Sequence, residues 1–256
     1  MTILLGKCLY DSKITTCTQI DNIILQLSSV LNNIGIETLF LESDHNIIWI
    51  RDIFIIIDNV CFICNLTQRD TIGTDRSNEY KYLLQYLNTQ FVLKFLPRYI
   101  KLEGGDIIQD GDNIFLGIGK RTSIEAYKYL KKMFKHKNIL AIQHNSLHLD
   151  CVFSVLNNKT ILYNKNYINN TLKINNYKTR DISKYVDNKN PISLNFLVIG
   201  NNIVCSNLIE KEDLLMILQN MNYRVWTINT HNLWKEGGGI RCMSQWLSTI
   251  ASQKIY

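Results

Sequence analysis

The chain has 256 residues, 46% apolar and 20% charged, and its 28 Lys and Arg outnumber 22 Asp and Glu for a formal charge of +6. That length can bury a large core, as one big domain or two small ones, and the composition is that of a globular protein and not of a disordered or fibrous chain. The basic excess is small and scattered, with Lys131-Lys132 and neighbouring lysines on one predicted helix as its local cluster, so no nucleic-acid partner is expected. No apolar run approaches the roughly 20 residues that span a bilayer, so no membrane partner is expected either. Seven widely spaced cysteines make no disulfide framework, and the run at Met1 to Lys7 is too short for a signal peptide. A reducing, cytoplasmic location is the expectation.

In chain order, residues 2–10 read as a short strand and Asp21 to Asn33 as an amphipathic helix with Ile23, Ile24, Leu27, Val30 and Leu31 on one face. Gly35 ends that helix and Ile36 to Leu41 reads as a strand. One pattern then recurs. Ile53–Ile57 and Val60–Cys64 flank a turn at Asp58-Asn59, and Ile107–Gln109 and Ile114–Leu116 flank one at Asp110–Asn113. Val152–Leu156 and Thr160–Tyr163 flank Asn157-Asn158, and Asn195–Ile199 and Ile203–Cys205 flank Gly200–Asn202. Helical periodicity follows several of these hairpins, at Ser77 to Leu87, Ser123 to Phe134 and Glu210 to Met221. Asn164 to Asn190 is polar and reads as loop-rich.

The last unit is expected to replace its hairpin with Arg224–Ile228, a glycine turn and a helix from Ser244 to Ala251. The turns recur about every 40 to 55 residues, the range of propellers, solenoids and arrays. One closed α/β domain over residues 1–256, built of about five strand–hairpin–helix–strand units, is the economical reading.

The residues ahead of the hairpins carry the chemistry. Asp52 precedes the first, Asp106 in Glu103-Gly-Gly-Asp106 the second, and Asp150 in His148-Leu-Asp150 the third. Cys242 follows Glu236-Gly-Gly-Gly-Ile-Arg241 in the last unit. One aspartate before a strand is an ordinary turn former, and a cysteine after glycines is an ordinary buried thiol. Units placed around an axis bring equivalent positions together, so these residues converge. Clustered carboxylates repel and are costly to bury, and the natural compensation is a cation.

A metal is the weaker candidate. Asn145-Ser146 between His144 and His148 reads as a turn, no glutamate completes a zinc-protease signature, and Cys61 and Cys64 are a lone pair on a strand. Gly237–Gly239 lacks the Lys-Ser/Thr of a phosphate loop. No metal and no cofactor are therefore expected. A guanidinium is a planar cation that carboxylates bind through paired hydrogen bonds, and Cys and His beside it suit attack on its carbon.

Four motifs in order, Ile50-Arg-Asp52, Leu102-Glu-Gly-Gly-Asp106, His148-Leu-Asp150 and Gly237-Gly-Gly-Ile-Arg-Cys242-Met-Ser244, resemble the guanidino-group-modifying enzymes. That superfamily includes arginine deiminase, dimethylarginine dimethylaminohydrolase and the amidinotransferases, and the chain's size is nearest the compact dimethylargininase-like members. Ile53 stands where several members have proline, and Arg241 where others have histidine.

The resemblance implies a five-bladed α/β propeller, or pentein, of ββαβ units with an axial site that takes a small cationic guanidino substrate. It implies Cys242 as nucleophile, His148 as general acid and base, and Glu103 completing the catalytic set. It implies Asp52 and Asp150 gripping the guanidinium, Asp106 supporting its loop, and Arg121 or Arg76 binding a substrate carboxylate. The activity implied is hydrolysis of a guanidinium C–N bond in arginine or a methylated arginine. The alternatives are amidino transfer to an amine, or a non-catalytic propeller such as the ribosome anti-association factor. A homodimer is left open.

Overall fold

A computed structural model describes residues 1–8, 17–43, 47–66, 76, 78–87, 90–168, 172–186, 192–207, 212–230, 233 and 237–247. The first strand, β1 (Thr2–Cys8), is joined through helix α1 (Cys17–Asn33) to the parallel strand β2 (Glu37–Ser43). A single helical turn, α2 (Ile50–Ile53), leads into the hairpin β3 (Phe54–Ile57) and β4 (Val60–Ile63). Helix α3 (Lys81–Leu87) then returns the chain to β5 (Val92–Phe95), parallel to β4. The same order gives β6 (Ile107–Asp110), β7 (Asn113–Ile118), α4 (Ile124–Met133) and β8 (Asn138–Gln143).

The next blade is β9 (Phe153–Leu156), β10 (Thr160–Tyr163) and β11 (Lys178–Asp181), with no helix among the described residues of its crossover. The blade after it is β12 (Leu197–Ile199), β13 (Asn202–Ser206), α5 (Glu212–Asn220) and β14 (Arg224–Ile228). The last strand, β15 (Ser244–Trp246), runs back antiparallel to β1, pairing Leu5 with Ser244 and Ile3 with Trp246. Five three-stranded sheets result, each an antiparallel pair extended by one parallel strand. This is the five-bladed α/β propeller implied by the motifs.

The repeat is visible in the backbone. Each of the four hairpin turns places one residue in the left-handed region, at Asp58, Gly111, Lys159 and Gly200, with φ of 55°, 62°, 60° and 55°. The third strand of each blade starts by donating an N–H to a carbonyl of that same turn. Val92 bonds Asn59, Asn138 bonds Asp112, Lys178 bonds Lys159, and Arg224 bonds Asn201.

The apolar core is divided as the blades are, and each of its five clusters bridges two neighbouring blades. Ile55 and Phe62 pack with Ile107 and Leu116, and Phe115 packs with Phe153 and Ile161. Leu156 and Leu162 pack with Phe196 and Ile203; Leu197 and Val204 pack with Ile3 and Leu5; Leu4 and Ile47 pack with Phe54 and Ile56. The clusters therefore run around a closed ring. Helix α1 presents Ile23, Ile24, Leu27 and Leu31 to its cluster and leaves Leu25 exposed, as the 3.6-residue period demands.

Three expectations change. Ser244–Trp246 is a strand and not the start of a helix, because β1 offers it an unpaired edge; residues 248–251 of that expected helix lie outside the described residues. Arg224–Ile228 is the third strand of the fourth hairpin's blade, since Asn202–Ser206 supplies the parallel partner it needs. The polar stretch after Asn164 contains β11, an edge strand whose Lys178-Thr-Arg-Asp181 alternates exposed and half-buried positions. Of the expected helices, the starts at Ser77 and Glu210 lie outside the described residues.

Gln245 ties the closing strand to the next blade. Its buried Oε1 accepts from Arg51 Nη1 at 2.6 Å, and its Nε2 donates to the Phe54 carbonyl. Gln245→Leu keeps the volume and strips a buried guanidinium of an acceptor, so a loss of about 2–3 kcal/mol is expected in urea unfolding.

Candidate active site

The five blades hold their chemical groups at one equivalent place, just ahead of the first strand. Asp52 lies in α2, Glu103 precedes a 3-10 turn at Gly104–Asp106, and His148 precedes another at Leu149–Cys151. Asn195 stands before β12 and Cys242 before β15. These side chains are buried: Glu103 and Asp150 are 0% exposed, and His148 and Cys242 2%. The glycines of the motifs are required by close approach. A Cβ on Gly105 would lie 2.6 Å from the His148 ring, and one on Gly238 would lie 2.2 Å from the Trp49 ring. Gly237 holds φ of +89°, which lets the backbone turn toward Cys242.

His148 is held between two acids. Its Nε2 is 2.8 Å from Glu103 Oε2, and its Nδ1 is 3.7 Å from Asp52 Oδ1. Burial works most strongly on its pKa and downward, but Asp52, Glu103 and Asp106 together outweigh it and hold the imidazole well above its ordinary 6.5. The surrounding carboxylates thus favour the protonated form of the His148 ring. Its charge stabilises the fold below the ordinary imidazole range, and that contribution is lost as pH rises through the elevated folded value.

The acids are held in turn by arginines. Arg76 forks onto Glu79, with Nε to Oε1 at 2.9 Å and Nη2 to Oε2 at 2.9 Å, and its Nη1 reaches Asp52 Oδ2 at 3.1 Å. Arg121 Nη1 lies 3.3 Å from Glu103 Oε1. Asp150 Oδ2 faces Arg241 Nε at 3.5 Å and Arg51 Nε at 3.8 Å. Burial raises the Asp150 carboxyl, and Arg241 and Arg51 oppose that rise. Burial likewise lowers Arg241, to about 10, and lowers Arg51. Asp106 Oδ1 accepts from the Leu149 N–H at 2.8 Å and is 3.0 Å from His144 Nε2, so it braces the turn that carries His148.

Cys242 is fixed from both sides. Its carbonyl accepts the Arg51 N–H at 3.1 Å, which joins the Cys242 loop to the Asp52 turn. Its sulfur receives Asn195 Nδ2 at 3.2 Å, and the same nitrogen is 3.1 Å from Asp150 Oδ1. Cys151 lies alongside, and its contact with Cys242, with burial added, holds its thiol protonated far above the ordinary range. Asp52 Oδ1 and Asp150 Oδ2 are buried and accept no hydrogen bond among the described residues.

The structure therefore gathers Asp52, Glu103, His148, Asp150 and Cys242 into one network, with Arg121 at its rim and Asp106 behind it. It places Arg76 on Asp52 and Glu79 at 5% exposure, where its fork is already occupied by acids. Sequence reasoning missed Asn195, Arg51 and Cys151 as members of the site. Asn195 had a signal in its position at the head of the fourth hairpin, and Arg51 and Cys151 had one in their adjacency to Asp52 and Asp150. As for a metal, atoms of Asp52, Glu103 and His148 lie within 4.8 Å of one another. A cation there would compete with Arg76 and Arg121 for the same carboxylates and with the proton on His148. Glu103→Gln is expected to lower the His148 pKa, read as a shift of its imidazole titration in NMR, because it removes the charge 2.8 Å away.

Known proteins share this fold. The arginine deiminase family model matches residues 46–221. An uncharacterized protein of Bacillus subtilis (strain 168), YkgA, is 25% identical over 198 residues, covering 76% of this chain and 67% of its own. The substrate-bound N-terminal domain of ArgZ, an arginine dihydrolase of the cyanobacterial ornithine-ammonia cycle, superposes with a TM-score of 0.81 at 14% identity, covering 96% of this chain and 98% of that one. DDAH from Pseudomonas aeruginosa, complexed with citrulline, superposes at 0.78 and 13% identity, covering 95% and 97%. The family match spans well over half of the sequence and includes the Asp52, Glu103, His148 and Asp150 motifs, so the chain belongs to the arginine deiminase family.

Proposed function

We propose that residues 1–256 act as one guanidino-modifying domain that hydrolyses the guanidinium C–N bond of arginine or a methylated arginine through an amidino-cysteine. The observation that carries this reading is the pair of buried carboxylate oxygens, Asp52 Oδ1 and Asp150 Oδ2, that accept no hydrogen bond among the described residues and stand beside a sulfur and an imidazole. A guanidinium supplies the planar N–H donors that such acceptors lack. Relatives that act on arginine or hold citrulline support the same substrate class.

In this reading Asp52 and Asp150 orient the guanidinium with its carbon toward Cys242. The thiolate adds to that carbon, and His148 donates its proton to the departing nitrogen as the C–N bond breaks. The neutral imidazole then takes a proton from water, and the hydroxide adds to the amidino carbon. The C–S bond breaks as the new hydroxyl proton passes to the released ammonia or amine, returning the thiolate and leaving a neutral ureido product. Glu103 keeps His148 protonated for the first step and oriented for the second. Arg51 and Arg241 bring positive charge to the sulfur and to Asp150. Arg121 is assigned to the substrate's α-carboxylate, since it combines partial exposure with a place beside Glu103. Arg76 is assigned to holding Asp52.

The test is turnover of arginine, methylarginines and agmatine, read as ureido product, ammonia and methylamines, with glycine or ornithine added as amine acceptors. Cys242→Ser is expected to lose about a thousandfold or more, and His148→Ala about a hundredfold to ten-thousandfold. Arg121→Ala is expected to raise KM for arginine about tenfold more than for agmatine, which has no carboxylate, with any loss through Glu103 common to both. Amidino transfer in preference to a ureido product would replace hydrolysis by the transferase reading. Full activity in Cys242→Ser would end both.

A further inference from the structure

We propose that Asn195 is a catalytic residue whose side-chain amide holds the Cys242 sulfur in its anionic form and couples it to Asp150. The inference rests on the reading of Cys242 as nucleophile and goes beyond it by naming the group that prepares the sulfur. Asn195 stands at the head of the fourth blade, 5% exposed, in the place that Asp52 and Cys242 occupy in theirs.

The orientation of the amide is determined by its partners. Asn195 Oδ1 accepts the backbone N–H of Arg241 at 3.0 Å. The reverse orientation would set an NH2 group against that N–H, so Nδ2 must face the other way. It there meets Asp150 Oδ1 at 3.1 Å and Cys242 Sγ at 3.2 Å, with Cys151 Sγ more distant at 4.0 Å. One N–H of the NH2 is taken by the carboxylate, and the other points at the nucleophilic sulfur. Sulfur in that position has to accept, which favours the thiolate over the thiol.

Room for this group is built into the glycine turn. A Cβ on Gly239 would lie 2.5 Å from Asn195 Oδ1 and 3.0 Å from its Cγ, so the third glycine is the space that the amide fills. The sulfur sits beside a carboxylate, which on its own would suppress ionisation. A donor that bonds both lets the nucleophile and the guanidinium grip stand side by side as anions. Arg51 and Arg241 add charge of the right sign, and Asn195 adds the directed hydrogen bond.

The experiment follows alkylation of Cys242 by iodoacetamide as a function of pH, resolved to the Cys242 peptide by mass spectrometry, in wild type, Asn195→Ala, Asn195→Ser and Asn195→Asp. Thermal melts and near-ultraviolet circular dichroism identify which variants are folded. The expected result is a profile displaced to higher pH in every folded variant, furthest in Asn195→Asp, with alkylation at neutral pH slower by about tenfold to a hundredfold. Arginine turnover falls in parallel. Profiles that superimpose on wild type in the folded variants would overturn the proposal and reduce Asn195 to a packing role. Alkylation requires no guanidino substrate, so a protein that turned over none of them would still report on the amide.

Discussion

Carboxylates removed from water must meet positive partners, and the rest of this molecule is arranged to supply them. Asp52, Glu103, Asp106 and Asp150 are at most 4% exposed, and each faces an arginine or a histidine. The compensation is incomplete at two oxygens. Asp52 Oδ1 and Asp150 Oδ2 have charged neighbours only at 3.5 Å or beyond and accept no hydrogen bond among the described residues. Their placement sets where an incoming cation has most to gain. It also explains why histidine, arginine and amide groups occur in the interior at the cost of ordinary apolar packing.

The fold makes that arrangement affordable because it divides its apolar core among the seams between blades. Each seam is a wedge of Ile, Leu, Val and Phe, and the blades' leading corners are left for polar groups. Backbone hydrogen bonds such as Arg51 N–H to the Cys242 carbonyl then lock one corner to the next. The site is thus assembled from five corners on five sheets, each corner set between two neighbours.

Much of this was legible in the residues. Hairpins with Asp-Asn, Asp-Gly, Asn-Asn and Gly-Asn turns repeat along the chain, and the acids at their heads define the axis. What escaped notice has physical reasons. Ser244-Gln-Trp246 is three residues long, too short for any period, and is a strand only because Ile3 and Leu5 at the far end of the chain pair with it. Lys178-Thr-Arg-Asp181 is polar because it is an edge, so it lacks the apolar run that marks its neighbours. Asn195 resembles any asparagine before a strand until the Arg241 backbone and the Cys242 sulfur are seen to close around it. Nothing in the residues around Arg76 announces that its guanidinium forks onto Glu79 and reaches Asp52.

The seam between β1 and β15 gives the chain an order of assembly. Asp52, Glu103, His148 and Asp150 leave the ribosome well before Cys242, and the strand after that cysteine seats itself against Ile3, Leu4 and Leu5, far upstream in the sequence. Long-range closure of this kind is slow compared with forming a hairpin. A nascent polypeptide that has not reached Cys242 thus carries these acids and the imidazole without the Cys242 sulfur, and the pairing of β15 with β1 is the last of the sheet contacts to be made.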